Sequence, residues 1–174
     1  MTAPAPDQVE LDPRRWRALA VCVTALFTTL LDVSIVTVAL PSIGRDTGAG
    51  PAELQWVVSG YALAFGMVPI IGGRLGDDRG RKRMLLAGIA GFTVCSALVG
   101  LAPTPGVLVA GRILQGLAGG LVNPQVSGVV QQLFPLDERG RAFGLIGTAV
   151  GIATAAGPVV GGTIIALGGP VYGW

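Results

Sequence analysis

The sequence predicts an all-α protein, a polytopic membrane helix bundle. Five apolar runs, at 18–43, 54–73, 84–101, 107–133 and 142–167, are each long enough to cross a bilayer as a helix. The 174 residues are 51% hydrophobic and 13% charged, with a mean hydropathy of +0.67, which excludes an ordinary water-soluble domain. Ten of the twelve basic residues fall on one side of the spans, the asymmetry of an inserted protein. Lipid offers backbone groups no water to bond, and the strict alternation of a membrane barrel strand is absent, so the runs are read as helices.

Residues 1–13 are polar, with Pro4, Pro6 and Pro13 among the acids Asp7, Glu10 and Asp12, and are expected to form a flexible cytoplasmic tail ahead of a bundle at 14–174. Arg14, Arg15 and Arg17 precede the first run, which is too long for a signal peptide. Arg74, Arg79, Arg81, Lys82 and Arg83 lie in the second connection and Arg139 and Arg141 in the fourth, whereas Arg45 is alone on the opposite side. The positive-inside rule therefore puts the N-terminus in the cytoplasm of a cell whose plasma or inner membrane the chain crosses several times. Trp16, Trp56 and Trp174 fall at expected interfaces, where an indole sits at headgroup level.

The first run carries Asp32 near its middle, where a charge costs about 2.5–3.5 kcal/mol, so this acid is a functional candidate. Pairing with a base for helix registry is the alternative. The second run contains Tyr61, facing either a pathway or an interface belt, and Pro69, where a missing backbone donor should bend the helix. Between the second and third runs, GGRLGDDRGRKRMLL at 72–86 reads as a short polar loop making a tight turn at the membrane face. The third run holds Thr93, Cys95 and Ser96 and reads as a supporting helix.

In the fourth run Arg112, Gln115, Gly116, Gly119, Gly120 and Asn123 recur at helical spacing and form one polar, small-residue face. Such a face belongs in the bundle interior. With 1.5 Å of rise per residue in oppositely directed helices, Arg112 and Asp32 come within roughly 10 Å axially, a gap a guanidinium can largely bridge. Asp137, Glu138, Arg139 and Arg141 of the fourth connection read as a solvated cytoplasmic turn. In the fifth run Pro158 cannot donate to the carbonyl of Thr154, while Gly157, Gly161 and Gly162 leave a groove for another helix. With no His and with both cysteines, Cys22 and Cys95, inside spans, neither a metal site, a cofactor site nor a catalytic triad is expected.

These segments resemble motifs of the major facilitator superfamily of transporters. Gly73, Asp77, Gly80, Arg81 and Lys82 resemble the signature loop between its second and third helices, with Asp78 where a base is usual. By that resemblance Asp77 caps a helix of the other half, Arg81 joins a charge relay, and together they form a conformational latch. Asp32, Ile35, Ala39, Leu40 and Pro41 resemble the first-helix motif of the drug:proton antiporter branch with additional helices, Ser34 and Thr37 standing where Thr and Asn are usual. GRILQG, with Arg112 and Gln115, resembles the fourth-helix motif implicated in proton transfer. Gly157, Pro158, Gly161 and Gly162 resemble the core of the antiporter motif, whose first position is here Ala153.

The resemblance implies five of the six helices of the N-terminal half of such a transporter, so the sequence reads as an N-terminal fragment without its C-terminal half. Its implied activity is proton-coupled export of drugs or other small molecules by alternating access. The expected partners are a small-molecule substrate, protons, the lipid bilayer and the C-terminal half, with no nucleic acid. The proton-coupling or substrate pathway is assigned to Asp32, Arg112, Gln115 and Asn123. An uncoupled or proton-symport carrier is the alternative within transport; outside it stands a membrane assembly protein or embedded enzyme.

Overall fold

A computed structural model describes residues 13–168 as five helices: α1 (Arg15–Thr47), α2 (Pro51–Arg79), α3 (Arg81–Gly100), α4 (Pro105–Leu133) and α5 (Leu136–Gly168). No strand occurs among the described residues, and all five helices are long and apolar enough to cross a membrane. The tail as far as residue 12, and Trp174, lie outside the described residues.

Four of the helices outrun the spans read from hydropathy. At 1.5 Å per residue the 33 residues of α1 reach roughly 50 Å, against about 30 Å of hydrocarbon. Hydropathy marks where lipid begins, whereas the hydrogen-bond ladder continues wherever caps sustain it. Thr104 Oγ1 accepts from Val107 N at 3.4 Å to open α4 behind Pro105, and Glu53 takes the Gly50 N–H at 2.8 Å to open α2.

The same continuation corrects the reading of residues 72–86 as a loop. Gly73 and Asp77 belong to the last turns of α2, Arg81 and Lys82 to the first turn of α3, and only Gly80 between them is non-helical. Its φ of 93° is open to glycine; its N–H closes α2 on Gly76 O at 3.1 Å and its carbonyl accepts from Met84 N at 3.2 Å to open α3, so one residue reverses the chain. The fourth connection is also tighter than a solvated turn. Asp137, Glu138, Arg139 and Arg141 lie in the first turns of α5; Arg139 donates to Phe134 O at 3.0 Å and Gln131 O at 2.7 Å, closing α4, and Glu138 pairs with Arg15 at 2.9 Å. Trp16 packs its edge on Phe134 at 5.0 Å beneath Arg141, so it is part of this junction as well, whereas Trp56 is half exposed.

The core is organised around α4, which packs closely on α2 and α3, while α1 packs chiefly on α5. Three apolar clusters hold the bundle, and each takes a residue from α4: Val122 with Cys22 and Leu85, Leu108 with Ile43 and Val57, Val130 with Leu19 and Ala142. Gly116 and Gly120 let α2 approach so closely that a Cβ on either would meet the backbone oxygens of Tyr61 and Phe65. Opposite this seam, Leu63, Met67, Ile70 and Ile71 leave α2 an exposed apolar face suited to lipid.

Candidate functional site

Asp32 on α1 and Arg112 on α4 meet in the middle of the bundle. The guanidinium is almost fully buried, and its Nη1 donates to Asp32 Oδ2 at 2.6 Å and to Gln115 Oε1 at 2.7 Å. Gln115 Nε2 donates in turn to Asp32 Oδ1 at 3.0 Å, so both carboxylate oxygens are engaged. Arg112 Nε reaches the carbonyl of Val57 on α2 at 3.3 Å, and its guanidinium carbon stands 4.2 Å from the centre of the Tyr61 ring. A buried charge persists where its partner and remaining hydrogen bonds offset desolvation, which is the arrangement here.

Three helices therefore share one charge pair. Tyr61, whose direction the sequence leaves open, turns inward: it is buried, stacked on Phe65 with centroids 5.8 Å apart, and its hydroxyl has no hydrogen-bond partner. Asn123 does not join the cluster. It shares the azimuth of Arg112 but lies 11 residues, roughly 16 Å, further along the axis, and it is exposed.

Two shallow cavities flank the face of α1 that runs along this network. One, of about 230 Å³, lies against α2 and reaches Tyr61, Phe65 and Arg112; the other, of about 270 Å³, lies against α5 and reaches Thr154 and Pro158. Leu30, Val33 and Thr37 line both. Their linings are mainly apolar; the polar residues are Thr37 in both, Tyr61 and Arg112 in the first, and Ser34 and Thr154 in the second.

The α1–α5 seam explains Gly157 and Gly161 of α5. Pro158 leaves the Thr154 carbonyl without its helical donor, and Ser34 Oγ supplies one at 3.1 Å. Ser34 fits because Gly157 faces it with no side chain; a Cβ there would overlap the serine side chain. Gly161 faces Ile35 less tightly, a Cβ there standing 3.3 Å from the Ile35 Cα. Gly162 does not contribute to the groove, since nothing lies within 4 Å of the place its Cβ would take.

At the α2–α3 corner, Arg81 Nη2 pairs with Asp77 at 2.6 Å across Gly80, and Nη1 donates to Pro124 O on α4 at 3.3 Å. The guanidinium lies over Gly128, where a Cβ would overlap it. Lys82 is exposed and Gly73 half-buried. The sequence reading missed Gln125 and Gly128, the α4 side of this corner. Their signal was available as a second small and polar row, offset from that of Arg112.

The chain is similar in sequence to known proteins. The family description Major Facilitator Superfamily matches residues 22–174. The chain is 42% identical over 166 residues to the probable actinorhodin transporter of Streptomyces coelicolor, covering 93% of this chain and 29% of that protein. It is 42% identical over 154 residues to the puromycin resistance protein pur8 of Streptomyces alboniger, covering 88% and 31%. Against the tetracenomycin C resistance and export protein of Streptomyces glaucescens it is 38% identical over 152 residues, covering 87% and 28%. The chain thus spans under a third of the length of these relatives.

Proposed function

The chain belongs to the major facilitator superfamily, and from that premise we propose that it serves proton-coupled export of drugs or other small molecules, as part of a carrier that alternates access by rocking one half against the other. Residues 14–174 would then form five helices of the N-terminal half. The observation that carries the reading is the Asp32–Arg112–Gln115 network: an acid and a base, held by two facing helices in the membrane, beside an apolar cavity. A proton arriving at Asp32 competes directly with the bond to Arg112, so protonation and the contact between α1 and α4 are linked. Export rather than import is supported by the similarity to the tetracenomycin C resistance and export protein, and by the resistance for which the puromycin relative is named. Ten bases at one end of the bundle support a cytoplasmic N-terminus in the cell membrane.

The test uses inverted membrane vesicles carrying the transporter, with an antibiotic accumulated under an imposed proton gradient. Accumulation is expected to collapse on adding a protonophore; accumulation that persists would make the carrier uncoupled.

The Asp77–Arg81 corner is assigned the latch. Asp77 is largely exposed and its ion pair is of the i,i+4 kind, worth about 0.3–0.5 kcal/mol, so Asp77→Ala is expected to raise maleimide labelling of a cysteine at half-buried Leu75 by about twofold. Labelling at the wild-type rate would leave these charges an anchoring role alone.

A further inference from the structure

Gln125, on α4, has no solvent exposure and an amide that is only half used. Its Nε2 donates to Gly72 O on α2 at 2.7 Å, while Oε1 has no hydrogen-bond donor. That oxygen points at Gly76, one turn further along α2, and occupies the space a Cβ would take. Only the Cα–H of a glycine leaves room for it. The same stretch of α4 seats the start of α3, through Pro124 O and the bare backbone of Gly128 under Arg81. Both sides of the one-residue turn at Gly80 are therefore fastened to α4, α2 by Gln125 and α3 by Arg81.

We propose that Gln125 is a positioning residue for the Asp77–Arg81 latch, its amide fitting the notch at Gly76 so that the end of α2 is held on α4 and Asp77 stays opposite Arg81. The inference rests on the latch reading given above. It assigns a reason to Gly76 that no turn requires, since Gly76 is an ordinary helical residue four positions before Gly80. It also gives the corner a route to the middle of the bundle: Gln125 and Arg112 are carried by the same helix.

A double-mutant cycle tests it, in the transporter with Cys22, Cys95 and any cysteine beyond this sequence replaced by alanine and one reporter cysteine at half-buried Leu75, one residue before Gly76. Losing one buried hydrogen bond shifts an opening equilibrium about fivefold, so Gln125→Ala is expected to raise the labelling rate by that factor. Gly76→Ala is expected to do as much, because its methyl displaces the amide, and to add nothing in the Gln125→Ala background. Gln125→Met keeps the bulk and loses the donor; it should raise labelling alone and remain sensitive to Gly76→Ala, and if Gln125→Ala does not accumulate this background carries the test, a Met variant indifferent to Gly76→Ala overturning the proposal. A second reporter at half-buried Leu54, at the other end of α2, should not change. Additive effects of Gly76→Ala and Gln125→Ala, or equal rises at both reporters, would overturn the proposal. Asp77→Ala measured alongside separates the two readings: an unchanged rate there, with the cycle still non-additive, removes the latch and leaves the fit between Gln125 and Gly76 intact.

Discussion

Arg112→Ala is expected to abolish the proposed proton-driven export, by at least about a hundredfold, while the chain still inserts in the membrane. Two consequences of the geometry combine to give an effect of that size. Truncation removes the bond to Asp32 at 2.6 Å, the bond to Gln115 and the contact with Tyr61 together. It also leaves a carboxylate inside the bundle without its counter-charge, and breaking a buried pair from one side costs about 3–5 kcal/mol. A hundredfold change in rate corresponds to about 2.7 kcal/mol, just under the low end of that range, so a loss of at least that size is expected. Insertion is decided by the hydropathy of the spans, which one side chain on α4 barely alters. Arg112→Lys should recover little, because an ammonium cannot bond Asp32, Gln115 and the Val57 carbonyl from one planar group while lying on Tyr61. Export in vesicles, normalised to the transporter content of the membrane, is the measurement. Rates within twofold of wild type would remove Arg112 from the coupling pathway.

Gly157→Leu has the second large effect, and it acts through the α1–α5 seam. Its Cβ would overlap Ser34, so the two helices must part or shift. Overpacking of this kind costs about 1–3 kcal/mol. Parting the helices also withdraws Ser34 Oγ from the Thr154 carbonyl, which Pro158 cannot serve, and an unmet backbone carbonyl in the membrane adds further cost. Transport should fall to background and the thermal unfolding midpoint in detergent should drop by several degrees. Gly162→Leu is the internal comparison: with nothing near its Cβ position, it should keep both the midpoint and the transport rate. Equal loss at the two positions would mean that bulk anywhere on this face is harmful and that the contact with Ser34 is not the cause.

Much of the architecture was legible without coordinates. Whether a stretch becomes a membrane helix depends on its own length and polarity, properties read residue by residue, and all five spans follow from them. The meeting of Asp32 and Arg112 was within reach for the same reason. Two antiparallel spans of known length leave a polar pair at matched depth few other partners, and each charge inside lipid requires one.

Tertiary structure decided which face of a helix is covered at each height. Periodicity groups Asn123 with Arg112, but α4 is wrapped by α2 and α3, so Asn123 is exposed while Gln125, two residues along, is sealed against Gly72 and Gly76. No one-helix pattern carries that distinction. The segment at 72–86 shows the same limit: its glycines and charges announce a reversal, yet only the closing bond from Gly80 to Gly76 reduces it to one residue. Ser34 and Thr154 lie 120 residues apart, and neither is unusual alone. The physical reason is common to all three. A sequence states which polar groups must be satisfied within the membrane, because lipid offers no substitute for water; which group satisfies them depends on distances between helices, and those exist only once the helices have packed.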